Sequence, residues 1–130
     1  MPSFLTPHEP KLYAVMRIVV GFLFFWHGTS KLFGFPTPVP DAPAFVIYVA
    51  GGLEFVGGAL LMAGFQTRLV AFLCSGLMAA AYFVAHQANG ILPIQNHGEL
   101  AALYCFVFLF ISANILVKIS YFRARRGLFP

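Results

Sequence analysis

Charged side chains are scarce in this chain. Asp, Glu, Lys and Arg make up 9% of its 130 residues, and only four are acidic. A water-soluble domain carries roughly 25% charge, so the composition excludes a soluble surface. Cysteine is limited to Cys74 and Cys105, and no Cys-x-x-Cys occurs, which excludes a disulfide framework and a thiol-relay motif. On the helix assignment below, the two thiols differ in depth by about 10 Å, beyond the roughly 7 Å reach of a disulfide. Both therefore read as apolar packing residues. The chain has no phosphate loop, dinucleotide fingerprint or nucleophile–base motif. The net charge of +4 does not indicate nucleic acid, because half of the eight basic residues lie between Lys118 and Arg126 and no aromatic–basic face accompanies them. That tail suits anionic lipid headgroups. The N-terminal lead is weakly charged and lacks an Ala-x-Ala exit, so the first apolar run is expected to be retained.

What is present is apolar. Hydrophobic residues fill 60% of the chain, and the mean hydropathy is +0.84. The length accommodates about four bilayer crossings with short connections. The expected fold class is all-α, an integral-membrane four-helix bundle forming one domain over residues 1–130. Crossings are expected at about 11–33, 44–64, 69–88 and 98–118, with a basic tail at 119–130. Residues 1–10 read as an irregular lead-in or interfacial segment. Four prolines between Gly34 and Pro43 make that stretch a loop, and Gly64 reads as a helix stop before the turn Phe65–Arg68. Lys11, Arg68, Lys118, Arg123, Arg125 and Arg126 fall on one side and Lys31 alone on the other. The positive-inside rule then places both termini on the cytoplasmic side of the membrane.

Few polar groups lie within these crossings. Glu54 sits among Gly51, Gly52, Gly57 and Gly58, and an ionised acid at that depth needs a partner, a proton or a water-filled cavity. On the first helix, Arg17, Gly21, Phe24, Gly28 and Lys31 recur with 4-3-4-3 spacing on one stripe. The expected partner of Glu54 is Arg17, as a buried ion pair that either locks helix register or takes part in binding or proton handling. His27, Lys31, His86, Asn96, His97 and Glu99 form an outer layer. His27, Lys31, His86, Asn96 and Glu99 of this layer, together with Tyr104, are expected to receive a quinone head group. His86, His97 and Glu99 are suitable metal ligands in type, but their spacing matches no metal signature. No paired axial histidines argue for haem. Neither metal nor haem is expected. Each half also carries an Arg (17, 68), a His (27, 86) and a Glu (54, 99), a faint two-hairpin repeat.

Several stretches together resemble the DoxX family of small membrane proteins. They are Arg17-x-x-x-Gly21 with Phe24, His27-Gly28 and Lys31-Leu32; Gly51-Gly52-Leu53-Glu54-Phe55-Val56-Gly57-Gly58; Leu61-x-x-Gly64-Phe65-x-Thr67-Arg68; His86; and Asn96-x-Gly98-Glu99-x-Ala101-x-Leu103-Tyr104. The resemblance implies a four-helix inner-membrane protein. The family is named after a subunit of an archaeal thiosulfate:quinone oxidoreductase, and its bacterial members are commonly labelled oxidoreductases. It supplies no catalytic residue set to carry over. The resulting expectation is a quinone-associated oxidoreductase subunit in redox or sulfur metabolism, working with a protein redox partner or as a homo-oligomer. The alternatives are a non-catalytic adaptor binding a protein partner, and a small carrier in which Glu54 titrates.

Overall fold

Helix α1 (Glu9–Phe33) opens on Pro10 and carries Glu9 in its first turn. Proline is pre-organised for that position, and an acid there complements the positive end of the helix dipole. A 3-10 turn over Thr6–His8 precedes it. The lead-in expected to be irregular is thus helical from Thr6, because a proline at the first turn starts a helix rather than breaking one. At its 25 residues α1 spans about 37 Å. It stops at Gly34, whose φ of 66° is left-handed and whose N–H reaches Ser30 O at 3.1 Å. The proline loop follows, with a cis Phe35–Pro36 bond.

The computed structural model describes residues 4–125, the last eleven by backbone alone. Among the described residues every regular element is helical. The second helix begins at Ala44, passes through a wider π-type stretch (Val46–Ala50) and continues as α2 (Gly51–Ala63). Gly64 ends it at φ 75°, as the sequence led us to expect. Helix α3 (Thr67–Ala81) runs on through a second π-type stretch (Tyr82–His86) and a 3-10 turn (Gln87–Asn89). One short helix, α4 (Pro93–Asn96), lies inside what reads in the sequence as an irregular loop. Helix α5 spans Glu99–Arg125, so the backbone stays helical beyond the expected end at Lys118. The side chains of Lys118, Arg123, Arg125 and Arg126, on which the expected orientation leans, lie outside the described residues.

Thr6–Phe33, Val46–Ala63 and Thr67–Asn89 are each long and apolar enough to cross a membrane, and Glu99–Asn114 is a shorter apolar helix. The chain divides between Phe65 and Gln66 into two units. The first unit is the α1–α2 hairpin, with Phe24 and Leu61 fully buried. The second holds α3, α4 and α5, with Ala71, Cys74, Phe108 and Ile111 buried.

In the first unit the stripe read from the sequence is the seam of the hairpin. A Cβ on Gly28 would lie 2.3 Å from Phe55 N and 2.8 Å from Gly51 O, and one on Gly58 would lie 2.7 Å from Gly21 O. Backbone therefore packs on backbone. Association of this kind holds helices together in lipid, where no hydrophobic drive exists between them. Beside the seam, Phe25 stacks on Phe55 at 4.7 Å and Phe33 meets Phe55 edge-on.

In the second unit Ser75 Oγ donates to Cys105 O at 2.8 Å and lies 3.6 Å from Cys105 Sγ. Cys74, next to Ser75, thus lies near the level of Cys105, not about 10 Å away as the sequence assignment had it. The α3–α5 register is set by the loop Gly90–Gly98, which the single-turn helix α4 shortens. Neither thiol is in a disulfide; Cys74 is buried and Cys105 partly so.

Candidate functional site

Glu54 is 3% exposed, and its partner is Lys31. The Lys31 ammonium donates to both carboxylate oxygens, at 2.8 Å to Oε1 and 2.6 Å to Oε2. The expected Arg17–Glu54 pair is not formed. Arg17 instead donates to the carbonyls of Leu61 and Met62, the second at 3.2 Å, and its guanidinium lies over Gly64. The antiparallel register explains the exchange. Gly28 faces Gly51–Phe55, so Lys31, one turn further on, reaches Glu54. Arg17 lies level with Gly64, roughly ten residues or about 15 Å from Glu54 along the axis. The α2 carbonyls left over at its C-terminal end suit a cation there. His27, beside Gly28, is exposed, and Thr29 Oγ1 donates to its own helix at Trp26 O, 2.9 Å away.

In the second unit Asn96 is the hub of a closed polar network and is 1% exposed. Its Nδ2 donates to Gly90 O at 3.0 Å and to Tyr82 OH at 3.3 Å, and its Oδ1 accepts from Gly98 N at 2.8 Å. His86 Nδ1 lies 3.1 Å from Asn96 O. The π-type stretch Tyr82–His86 carries both Tyr82 and His86 to this loop. Gly98 has to be small, because a Cβ there would lie 2.7 Å from both Asn96 Oδ1 and the Tyr82 ring. Asn96 therefore spends its side chain on holding the loop. Asn96→Ala is expected to leave Gly90 O without its donor and Gly98 N with only its 3.1 Å bond to Pro93 O, and to cost about 1–3 kcal/mol, read as faster amide exchange across Gly90–Gly98. Tyr104 is buried and stacks on Phe108 at 5.5 Å.

Glu99 differs from these residues. It is exposed in the first turn of α5 and lines an open cavity of about 390 Å³ with His97, Leu100 and Leu103. His97 stands at the mouth in a left-handed conformation, φ 58°. A carboxylate and an imidazole over two leucines can donate to and accept from a carbonyl or hydroxyl, and can exchange protons with water. His97 is missing from the expected head-group set. The signal that could have found it is its place two residues before Glu99 at a helix start. Among the described residues no three His, Cys, Asp or Glu side chains are grouped to hold a metal ion. Of the expected set, His27 and Lys31 belong to the first unit, and His86, Asn96, Glu99 and Tyr104 to the second.

The family model described as DoxX matches residues 12–87. An uncharacterized protein of Haemophilus influenzae is 42% identical over 113 residues, which cover 82% of this chain and 84% of that protein. A Bacillus subtilis protein named "Putative oxidoreductase CatD" is 34% identical over 64 residues, 45% of this chain and 48% of that protein. No solved structure matches.

Proposed function

Because the chain belongs to the DoxX family, we propose that it is a multi-pass inner-membrane protein, a four-helix bundle with both termini cytoplasmic, that works with a quinone in redox metabolism. The observation that carries this reading is the cavity formed by His97, Glu99, Leu100 and Leu103. Its volume of about 390 Å³ lies in the usual range for small-molecule sites. The residues fit a quinone head group, with acid and imidazole for the ring oxygens and leucine walls for the ring. A quinone supplies two-electron, two-proton acceptance when bound. Glu99 and His97 orient the head group and pass protons between it and the loop, while a partner subunit supplies the electrons. His86 and Asn96 act one step back by fixing the loop that ends at His97. The oxidoreductase name of the Bacillus subtilis relative supports the same class of chemistry.

Gentle purification followed by lipid extraction tests this reading. The expected result is a co-purifying quinone that Glu99→Gln and His97→Ala each reduce about tenfold, the worth of one charge-assisted hydrogen bond. Absence of quinone, with no binding of added decylubiquinone or menadione, would overturn it. A second reading, an adaptor for a protein partner, is favoured by the pairing of Lys31 with Glu54 inside one hairpin. It would be supported by a stable co-purifying protein together with tolerance of Glu99→Gln and His97→Ala.

A further inference from the structure

The turn end of the second unit holds a groove that the quinone reading does not use. It encloses about 540 Å³ and is lined by Gln66, Arg68, Leu69, Phe72 and Ser112. Three features converge on it. Arg68 is exposed in the first turn of α3. The 15-residue helix α3 begins at that point with no side-chain cap, so its first N–H groups and positive dipole end are open to an anion. Ser112 is 6% exposed and lines the groove, and among the described residues its hydroxyl has no hydrogen-bonding partner. The hydroxyl opens onto the groove, where it can donate to an acceptor from outside the chain. Leu69 (57% exposed) and Phe72 (59% exposed) continue the groove as an apolar wall along α3.

We propose that this groove binds an anionic glycerophospholipid of the surrounding leaflet. Its phosphate accepts from the Arg68 guanidinium, the open N–H groups of α3 and the Ser112 hydroxyl, with Gln66 at the rim. Its acyl chain lies along Leu69 and Phe72. The paired requirement for a cation and an apolar wall selects a lipid over free phosphate, because free phosphate has no use for the two exposed hydrophobic side chains. The assignment also gives a task to the Gly64-Phe65-x-Thr67-Arg68 stretch: Gly64 turns the chain, Thr67 is buried under the helix start, and Arg68 presents the charge.

The test is native mass spectrometry of the full chain released from nanodiscs of equal phosphatidylglycerol and phosphatidylcholine. The expected result is one retained phosphatidylglycerol per chain, with its preference over phosphatidylcholine reduced about fivefold in Arg68→Gln. Arg68→Lys should keep part of the preference, and Ser112→Ala should shorten retention while leaving the helix content unchanged. Lys11→Gln, which removes an exposed cation from the first unit, is expected to behave as wild type. Equal retention of the two lipids by the wild type, or an unchanged preference in Arg68→Gln, would overturn the assignment. If Arg68→Gln does not insert, Ser112→Ala decides: unchanged retention there overturns it equally.

Discussion

Glu54→Ala is expected to lower the stability of the protein in mixed micelles by about 3–5 kcal/mol, and Lys31→Ala by a similar amount. The cost comes less from the lost attraction than from the charge left behind. Glu54 is 3% exposed, and its two oxygens have the Lys31 ammonium as their hydrogen-bond donor. Removing Lys31 leaves the carboxylate in a site that neither water nor lipid can solvate, and removing Glu54 leaves the partly buried ammonium without a counter-charge. The double variant Lys31→Met with Glu54→Leu removes both charges and keeps the volume, so it should recover most of the loss. Unfolding by SDS titration, followed by far-UV circular dichroism, measures all three. A double variant as unstable as the single ones would show that the pair does more than neutralise itself within the hairpin. Arg17→Gln should cost less, about 1.5–3 kcal/mol, because it removes charged hydrogen bonds to the Leu61 and Met62 carbonyls and strands no counter-charge.

Gly28→Ala should also be damaging, although it adds a single methyl group. The new Cβ would lie 2.3 Å from Phe55 N and 2.7 Å from Phe55 Cα, and both are backbone atoms that no rotamer change can move. The helices have to separate along the seam, which strains the Gly21–Gly58 approach and lengthens the Lys31–Glu54 bridge. Overpacking of this kind costs about 1–3 kcal/mol and occasionally more, and Gly28→Leu should prevent the hairpin from closing. Gly52→Ala is the control, since a Cβ there meets nothing within 4 Å. It should be neutral, or stabilising by up to about 1 kcal/mol through helix propensity. Equal loss at positions 28 and 52 would mean that glycine is needed for flexibility rather than for close approach. Thermal melts of the two variants beside the wild type separate these cases.

The stripe Arg17, Gly21, Phe24, Gly28 and Lys31 was legible in the sequence because helical spacing alone puts those residues on one face, and that face is the hairpin seam. The stop at Gly64 was legible for an equally local reason, since a left-handed residue is needed there, and the end of α1 was legible from the prolines that follow it. Pairing across the seam was not local. Which cation meets Glu54 depends on how α1 and α2 are offset, and the ten-residue proline loop hides that offset. Depth counted from the ends of apolar runs placed Arg17 too close and Lys31 too far. The same counting separated Cys74 from Cys105, because helix α4 within the second loop cannot be seen from composition. Asn96 looked like a ligand because it is polar and lies near the loop. Its burial and three side-chain bonds depend on Gly90, Tyr82 and Gly98 folding back onto it. His97 was passed over as a head-group residue because, without a metal signature, a lone loop histidine carries little signal.

On the proposed reading the polar residues fall into two classes: Lys31 and Glu54 hold the first hairpin closed, and His97 with Glu99 would meet the quinone. Titration of decylubiquinone into nanodisc-embedded protein, followed by native mass spectrometry of the quinone retained per chain, tests that division most directly. Lys31→Met with Glu54→Leu should bind as the wild type does, while Glu99→Gln and His97→Ala should each weaken binding about tenfold. Loss of binding in the charge-free pair variant, with binding intact in Glu99→Gln, would contradict it and move the site to the first hairpin.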